Sequence, residues 1–196
     1  MRRTSVVLVV LLLGTAACTV ESSGTSQSSD TNDDTIDLLH DRDAAARALR
    51  AIERRVGASP AQLTGADVYG EYVIVEAQDP GTPDHIDRYT WRDGNVEPPE
   101  PVHLSGPQEA VDASLFPSAA LRWGDLAAFV RKAEQRALHA EPVRIEQAKA
   151  NYVDIARSTS SDDDGRVIVR VSIEGPRRSG YVEMTTSGDV RSVEVS

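Results

Sequence analysis

The spacing of apolar residues changes along this chain, and each change predicts an element. Val6 to Leu13 is an unbroken apolar run, and Thr19 to Asp34 is polar with a single Val. From Asp43 the apolar positions fall at intervals of three and four (Ala45, Ala48, Leu49, Ile52, Val56), which predicts a helix. Gly57 and Pro60 stop it. Asp43 and Arg47 make an i,i+4 pair on its outer side. Asp33, Asp34 and Thr35 are suitable caps if Ile36, Leu38 and Leu39 extend the helix backward. The period then drops to two. Tyr72 to Ala77 reads as a strand, Asp79 to Asp84 as a loop of turn residues, and Ile86 to Arg92 as a second strand. Asp93-Gly94-Asn95 is a tight turn into a short third strand from Val96, which Pro98, Pro99 and Pro101 end or keep at an edge.

The second half runs in the same order. Gly106 to Pro117 connects, with a helical turn at Glu109 to Asp112. Leu126, Phe129, Val130, Ala133 and Ala137 then line one helical face, with Asp125 as cap and Pro142 past the end. Val143 to Gln147 and Asn151 to Ile155 are strand candidates, and Ser158 to Gly165 is a polar loop. Val167 to Ile173 alternates cleanly, with Val167, Val169, Val171 and Ile173 on one face. Gly175 to Gly180 turns the chain, Tyr181 to Thr186 returns, Ser187-Gly188-Asp189 turns again, and Val190 to Val195 closes the sheet.

Laid side by side, the two strand series share an offset: Val73 corresponds to Val167, and Gly94 to Gly188. The expected fold is α+β, built as two helix-plus-antiparallel-meander repeats over residues 35–105 and 106–196. Each helix would lay its apolar stripe on one sheet face, leaving the other solvated or covered by something else. This pattern resembles the small repeats of PepSY domains and of β-lactamase inhibitory proteins. The resemblance implies binding or inhibition of another protein outside the cell, without catalysis.

The N-terminus tells where such a domain would work. Arg2 and Arg3 precede the apolar run, which is too short to span a bilayer, and Gly14-Thr15-Ala16-Ala17 leads into Cys18, the one cysteine of the chain. The stretch resembles the lipobox of bacterial lipoproteins, a family that prefers Leu where this chain has Thr15. The resemblance implies a signal peptide over 1–17, cleavage between Ala17 and Cys18, and a diacylglyceryl thioether on Cys18, with acyl chains of the palmitate kind holding the protein to the cell membrane on its extracytoplasmic side. Two or more acyl chains suffice for stable anchoring, at about 0.8 kcal/mol per buried methylene. An ordinary secretory signal, with Cys18 incidental, is the competing reading. Residues 18–34 would then form a disordered tether, with a reach of roughly 20–24 Å.

Charge and motifs narrow the function. The formal net charge is −10, and it becomes −12 once Arg2 and Arg3 leave with the leader. Such acidity argues against nucleic acid as a partner. Lipidation of Cys18 leaves no thiol for a disulfide, a metal or catalysis. His40, His85, His103 and His139 are not at metal-ligand spacing, and His139 suits a helix C-terminus. Asp162-Asp163-Asp164-Gly165 invites calcium, but an EF-hand register would need a ligand at Val171. No nucleophile elbow, P-loop or dinucleotide fingerprint is present, so no metal, cofactor or catalytic residue is nominated. Tyr89 and Trp91 share a strand face and suit either a sheet core or an interface. Arg177 and Arg178 sit on a hairpin tip, either solvated or set for an acidic partner, and Trp123 suits the core. The expectation is a lipid-anchored, non-catalytic interaction or regulatory module that engages another envelope protein. The alternative is a carrier of an apolar or lipid ligand held between helix and sheet.

Overall fold

The computed structural model describes residues 36–159 and 165–196, which belong to one compact unit. The leader, the cleavage site at Ala17, Cys18, the tether, the caps at Asp33 to Thr35 and the Asp162 to Asp164 run lie outside the described residues.

Helix α1 (Ala44–Val56) buries the predicted stripe, and Gly57 ends it in the left-handed region at φ 85, its N–H bonding Glu53 O. The helix does not extend backward. Residues 36–43 form turns in which the Asp37 carboxylate accepts from the N–H groups of Leu39 (2.9 Å) and His40 (3.2 Å). The Leu38 N–H donates to Gly70 O (2.8 Å), so Leu38 and Leu39 are buried without being helical. Asp43 takes φ 60 at the N-cap, and the Arg47 guanidinium donates to Arg42 O rather than reaching Asp43.

Four strands follow: β1 (Gln62–Tyr69), β2 (Tyr72–Asp79), β3 (Thr82–Arg92) and the short β4 (Asn95–Val96). Beyond them lie β5 (Glu100–Pro101), helix α2 (Gln108–Ser114) and β6 (Phe116–Pro117). Helix α3 (Leu126–Leu138) leads into β7 (Lys149–Arg157), β8 (Val167–Glu174), β9 (Ser179–Thr185) and β10 (Val190–Val195). Among the described residues these make one antiparallel sheet in the order β10-β9-β8-β7-β1-β2-β3-β4. Strands β5 and β6 pair with β3 and β1.

The fold is therefore mixed α and β and dominated by the sheet. Its central strand, β1, is one that the sequence pattern does not predict. Gly65 and a bulge between Leu63 and Gly65 break its alternation. Val143 to Gln147, expected as a strand, is irregular. Ile145 is fully buried, and its N–H bonds Ala137 O (3.0 Å), so the segment closes the end of α3. The expected loop at Asp79 to Asp84 shrinks to a turn at Pro80-Gly81, because Thr82 already pairs with Asp79. Asp125 makes no side-chain cap and instead pairs with Arg122 at 3.1 Å.

Both long helices pack on the same sheet face. Helix α1 lies against β2, β3 and β4, and α3 against β7, β8, β9 and β10. Between helices and sheet runs one continuous core cluster, with Val68, Val73, Val153, Val171 and Val182 across its middle. A buried polar knot ties the connecting segment to α1. Ser118 Oγ and Ser59 Oγ donate to the Glu53 carboxylate (2.5 and 2.9 Å), and Trp123 Nε1 donates to Ser118 O (2.9 Å). Within this knot Glu53, Ser118 and Trp123 thereby have the partners that burial demands.

Candidate functional site on the open face of the sheet

Strand geometry sends alternate side chains to opposite faces. With Val68 and Val153 under the helices, Asp67, Tyr69, Tyr152 and Asp154 must point the other way. The register puts them directly opposite one another: Asp67 with Asp154, Val68 with Val153, Tyr69 with Tyr152. Asp-Val-Tyr on one central strand thus meets Tyr-Val-Asp on the next, and the antiparallel pairing turns two reversed tripeptides into a local two-fold arrangement.

Two rows cross the open face from this centre. In the first, Tyr72 and Tyr69 flank the Gly70-Glu71 turn and stack at 4.4 Å between ring centroids, 20° from parallel. Tyr69 stacks on Tyr152 at 5.4 Å and 24°. The Arg92 guanidinium caps the row at 4.6 Å over the Tyr72 ring. Ser172 and then Tyr181 continue it, with Arg170 at 4.9 Å over the Tyr181 ring. All four tyrosines are half-buried. Offset stacking and cation–π contact stabilise these half-buried rings, each by about 0.5–1.5 kcal/mol.

The second row runs Thr90, Ile74, Asp67, Asp154, Arg170, Glu183. Its flanks are paired. Arg88 bonds Glu76 at 2.7 Å, and Glu183 holds both Arg170 (3.2 Å) and Arg191 (3.1 Å). Its centre is not paired: neither the Asp67 nor the Asp154 carboxylate makes a hydrogen bond or ion pair among the described residues. Burial raises the Asp67 carboxyl above its usual range, and Asp154 and Glu76 add to the shift against the pull of Arg88. Burial likewise raises Asp154, partly offset by Arg170. Burial and Asp67 also push the Tyr69 hydroxyl up. Arg170 Nε is buried and has no hydrogen-bond partner among the described residues. Beside this row a cleft of about 420 Å³ opens among Asp154, Ala156, Arg157, Ile168, Arg170 and Glu183.

The residues singled out from sequence lie elsewhere. Tyr89 and Trp91 are on the covered face, each 5% exposed and part of the core under α1, so the interface role drops away for both. Trp123 is buried as expected. Arg177 and Arg178 are exposed at the β8–β9 turn, where they line a separate cleft of about 760 Å³ with Arg144 and Glu146. They join neither Tyr89 and Trp91 nor the tyrosine row. His139 stands at the C-cap of α3, with Nδ1 2.8 Å from Gln135 O. His85 and His103 are exposed. His40, which carried no signal, bridges Asp37 (2.8 Å) and Glu134 (3.0 Å). Sequence reasoning missed Tyr69, Tyr72, Tyr152, Asp67 and Asp154. The reversed tripeptides were the visible clue, but they mean nothing until β1 is recognised as a strand.

Among the described residues no group of three or more His, Cys, Asp or Glu is placed to hold a metal ion, and no helix is long and apolar enough to cross a membrane. In comparison with known proteins, the chain matches no family model, no curated protein and no solved structure.

Proposed function

We propose that this chain is a lipid-anchored extracytoplasmic protein that acts as a non-catalytic interaction or regulatory module, docking another envelope protein on the open face of its sheet. One observation carries the reading: a stacked, half-buried tyrosine row lies at the centre of a sheet whose other face packs against α1 and α3 over a continuous core. Tyrosines of this kind are favoured interface anchors, because they offer large area at small entropic cost. The two halves are read as two helix-plus-meander repeats joined through β1 and β7. The shared order of elements and the two-fold pairing of Asp-Val-Tyr with Tyr-Val-Asp support this. A carrier of apolar ligands has less in its favour, since the space between helices and sheet holds a continuous cluster of buried side chains.

The test places a photo-crosslinking amino acid at Thr90 on the open face, and separately at Arg50 on the outer side of α1, in the full chain in intact cells. A discrete adduct from position 90 that disappears on Tyr69→Ala/Tyr152→Ala substitution, with none from position 50, is expected. Equal adducts from both positions, or none, would remove the docking reading. Cys18→Ser with cell fractionation tests the anchor separately: the expected result is loss of the chain from the membrane fraction.

A further inference from the structure

Resting on that docking reading, we infer that the partner presents an arginine side chain, which enters the centre of the open face between the tyrosine rings and the paired carboxylates of Asp67 and Asp154.

The argument is one of charge complementarity. The carboxylates on either side of the centre are paired: Glu76 has Arg88, and Glu183 has Arg170 and Arg191. The two carboxylates at the middle make no ion pair or hydrogen bond of their own among the described residues, and the nearby Arg88 and Arg170 offset only part of their charge. They also stand directly opposite each other on adjacent antiparallel strands, where Cβ atoms lie about 4.5–5.5 Å apart and like charges destabilise. The free chain tolerates this repulsion on a half-buried surface, and a cation between the two would relieve it.

Geometry selects the kind of cation. Two acceptors at that spacing suit the flat fork of one guanidinium, which can donate to both. One step along the same strands, about 7 Å away, stand Tyr69 and Tyr152. Their rings are stacked nearly parallel, and an arginine stem and guanidinium pack well on such a surface. A metal ion would find only two carboxylates, with no third ligand among the described residues. A phosphate-bearing or acidic partner would meet the uncompensated negative charge.

The inference is tested by panning a phage-displayed library of random linear peptides on the full-length chain in detergent micelles. Three targets run in parallel: wild type, Asp67→Asn/Asp154→Asn and Tyr69→Ala/Tyr152→Ala. Peptides selected on wild type and lost on the tyrosine variant are expected to carry a shared arginine. Replacing that arginine by glutamine in the peptide, or both aspartates by asparagine in the protein, should weaken binding roughly tenfold or more, and lysine should restore only part of it. Thermal melting of the asparagine variant at or above the wild-type temperature shows that the fold is intact. Peptides that need the tyrosines but bind the asparagine variant equally well overturn this inference and leave the docking reading standing. Selection that ignores the tyrosines, or yields no enrichment on wild type over the tyrosine variant, overturns both.

Discussion

The two faces of the sheet are made from the same strands and obey opposite rules. On the covered face the side chains are Val, Ile, Ala, Met and Trp, most with no solvent exposure, and they are held by shape alone. On the open face tyrosines, aspartates and Ile74 are half-buried beside arginines, and among the described residues neither α1 nor α3 lies over them; Ile86 and Ile168, on the same face by register, are buried toward its margins. The covered face is a closed packing problem, already solved by α1 and α3. The open face is ordered and stacked, yet it keeps two unpaired carboxylates at its centre. A sheet that needed only stability would not place like charges opposite each other on its two middle strands. The difference teaches where to look for function: on the face whose chemistry its own chain leaves incomplete.

The largest effect should come from asking whether the two faces differ in packing at all. Ile155 is fully buried on β7 beneath the helices, and Ile74 is half-buried on β2 facing outward. Ile155→Ala should cost about 2–5 kcal/mol through lost burial and the cavity left behind. Ile74→Ala should cost about 1 kcal/mol or less. Urea unfolding midpoints check this. Equal losses would mean that the open face is packed as the other is, and the contrast would fail.

Next comes the seam by which α3 holds the covered face. Gly188, in the β9–β10 turn, has φ 84, and a Cβ built there would lie 2.4 Å from the Phe129 ring. Lys132 Nζ also donates to Gly188 O at 2.7 Å. Gly188→Ala combines a strained backbone with overpacking and should cost about 1–3 kcal/mol. Gly94, with φ 82 and open space around it, meets only the backbone penalty. Gly94→Ala should therefore lower the melting temperature less than Gly188→Ala does.

These same residues show how far the sequence was legible. The α1 and α3 stripes and the β8 alternation could be read, because each is a local period that a single buried face imposes. Gly57, Gly94 and Gly188 could be read as stops and turns, and all three take positive φ. Strand β1 could not. Leu63, Gly65, Ala66 and Asp67 are small, polar or displaced by the bulge, so no alternation survives, although the strand lies at the centre of the sheet. Tyr89 and Trp91 could be assigned to one face but not to the covered one, because that choice depends on where the helices land. The candidate site was harder still. It exists only when Asp67 and Tyr69 meet residues of β7 more than eighty positions away, a register that no local period encodes.

A smaller effect should separate the faces by pH. Burial raises the Asp67 and Asp154 carboxyl groups above their ordinary value of 3.8. A raised acid holds its proton more tightly in the folded state. Its contribution to stability is therefore fully present below pH 3.8 and is lost as pH rises through the raised value. Asp67→Asn/Asp154→Asn removes that loss and should stabilise the chain at neutral pH by about 1 kcal/mol or less. Its unfolding free energy should also depend less on pH just above the ordinary aspartate range. A double variant less stable than wild type at neutral pH would mean that the pair supports the fold in the free chain, and the contrast between complete and incomplete faces would lose its centre.

The smallest effect concerns a contact that belongs to neither face. His40 Nδ1 meets Asp37 and Nε2 meets Glu134, whose Oε1 also accepts the Ala150 N–H at 3.0 Å. Arg131 donates to His40 O at 3.2 Å, and Asp41 accepts the Asp37 N–H at 3.0 Å. The first described residues are thereby fastened to α3 and to the start of β7. Burial alone would lower the His40 pKa, but the hydrogen bonds to Glu134 and Asp37 outweigh it and raise the value above 6.5. A raised histidine stabilises fully below its unfolded value and loses that contribution as pH climbs through the folded one. The fastening should thus weaken above about pH 6.5, in a window well separated from that of the aspartates. The ring is partly exposed, so the effect on global stability should be under about 1 kcal/mol. His40→Gln should flatten the alkaline side of the stability profile and leave the acid side, set by Asp67 and Asp154, unchanged. An NMR titration of the His40 ring gives the direct reading. A midpoint at or below the ordinary histidine value of about 6.5 would show that the two carboxylates do not hold the proton, and the alkaline loss would then need another source.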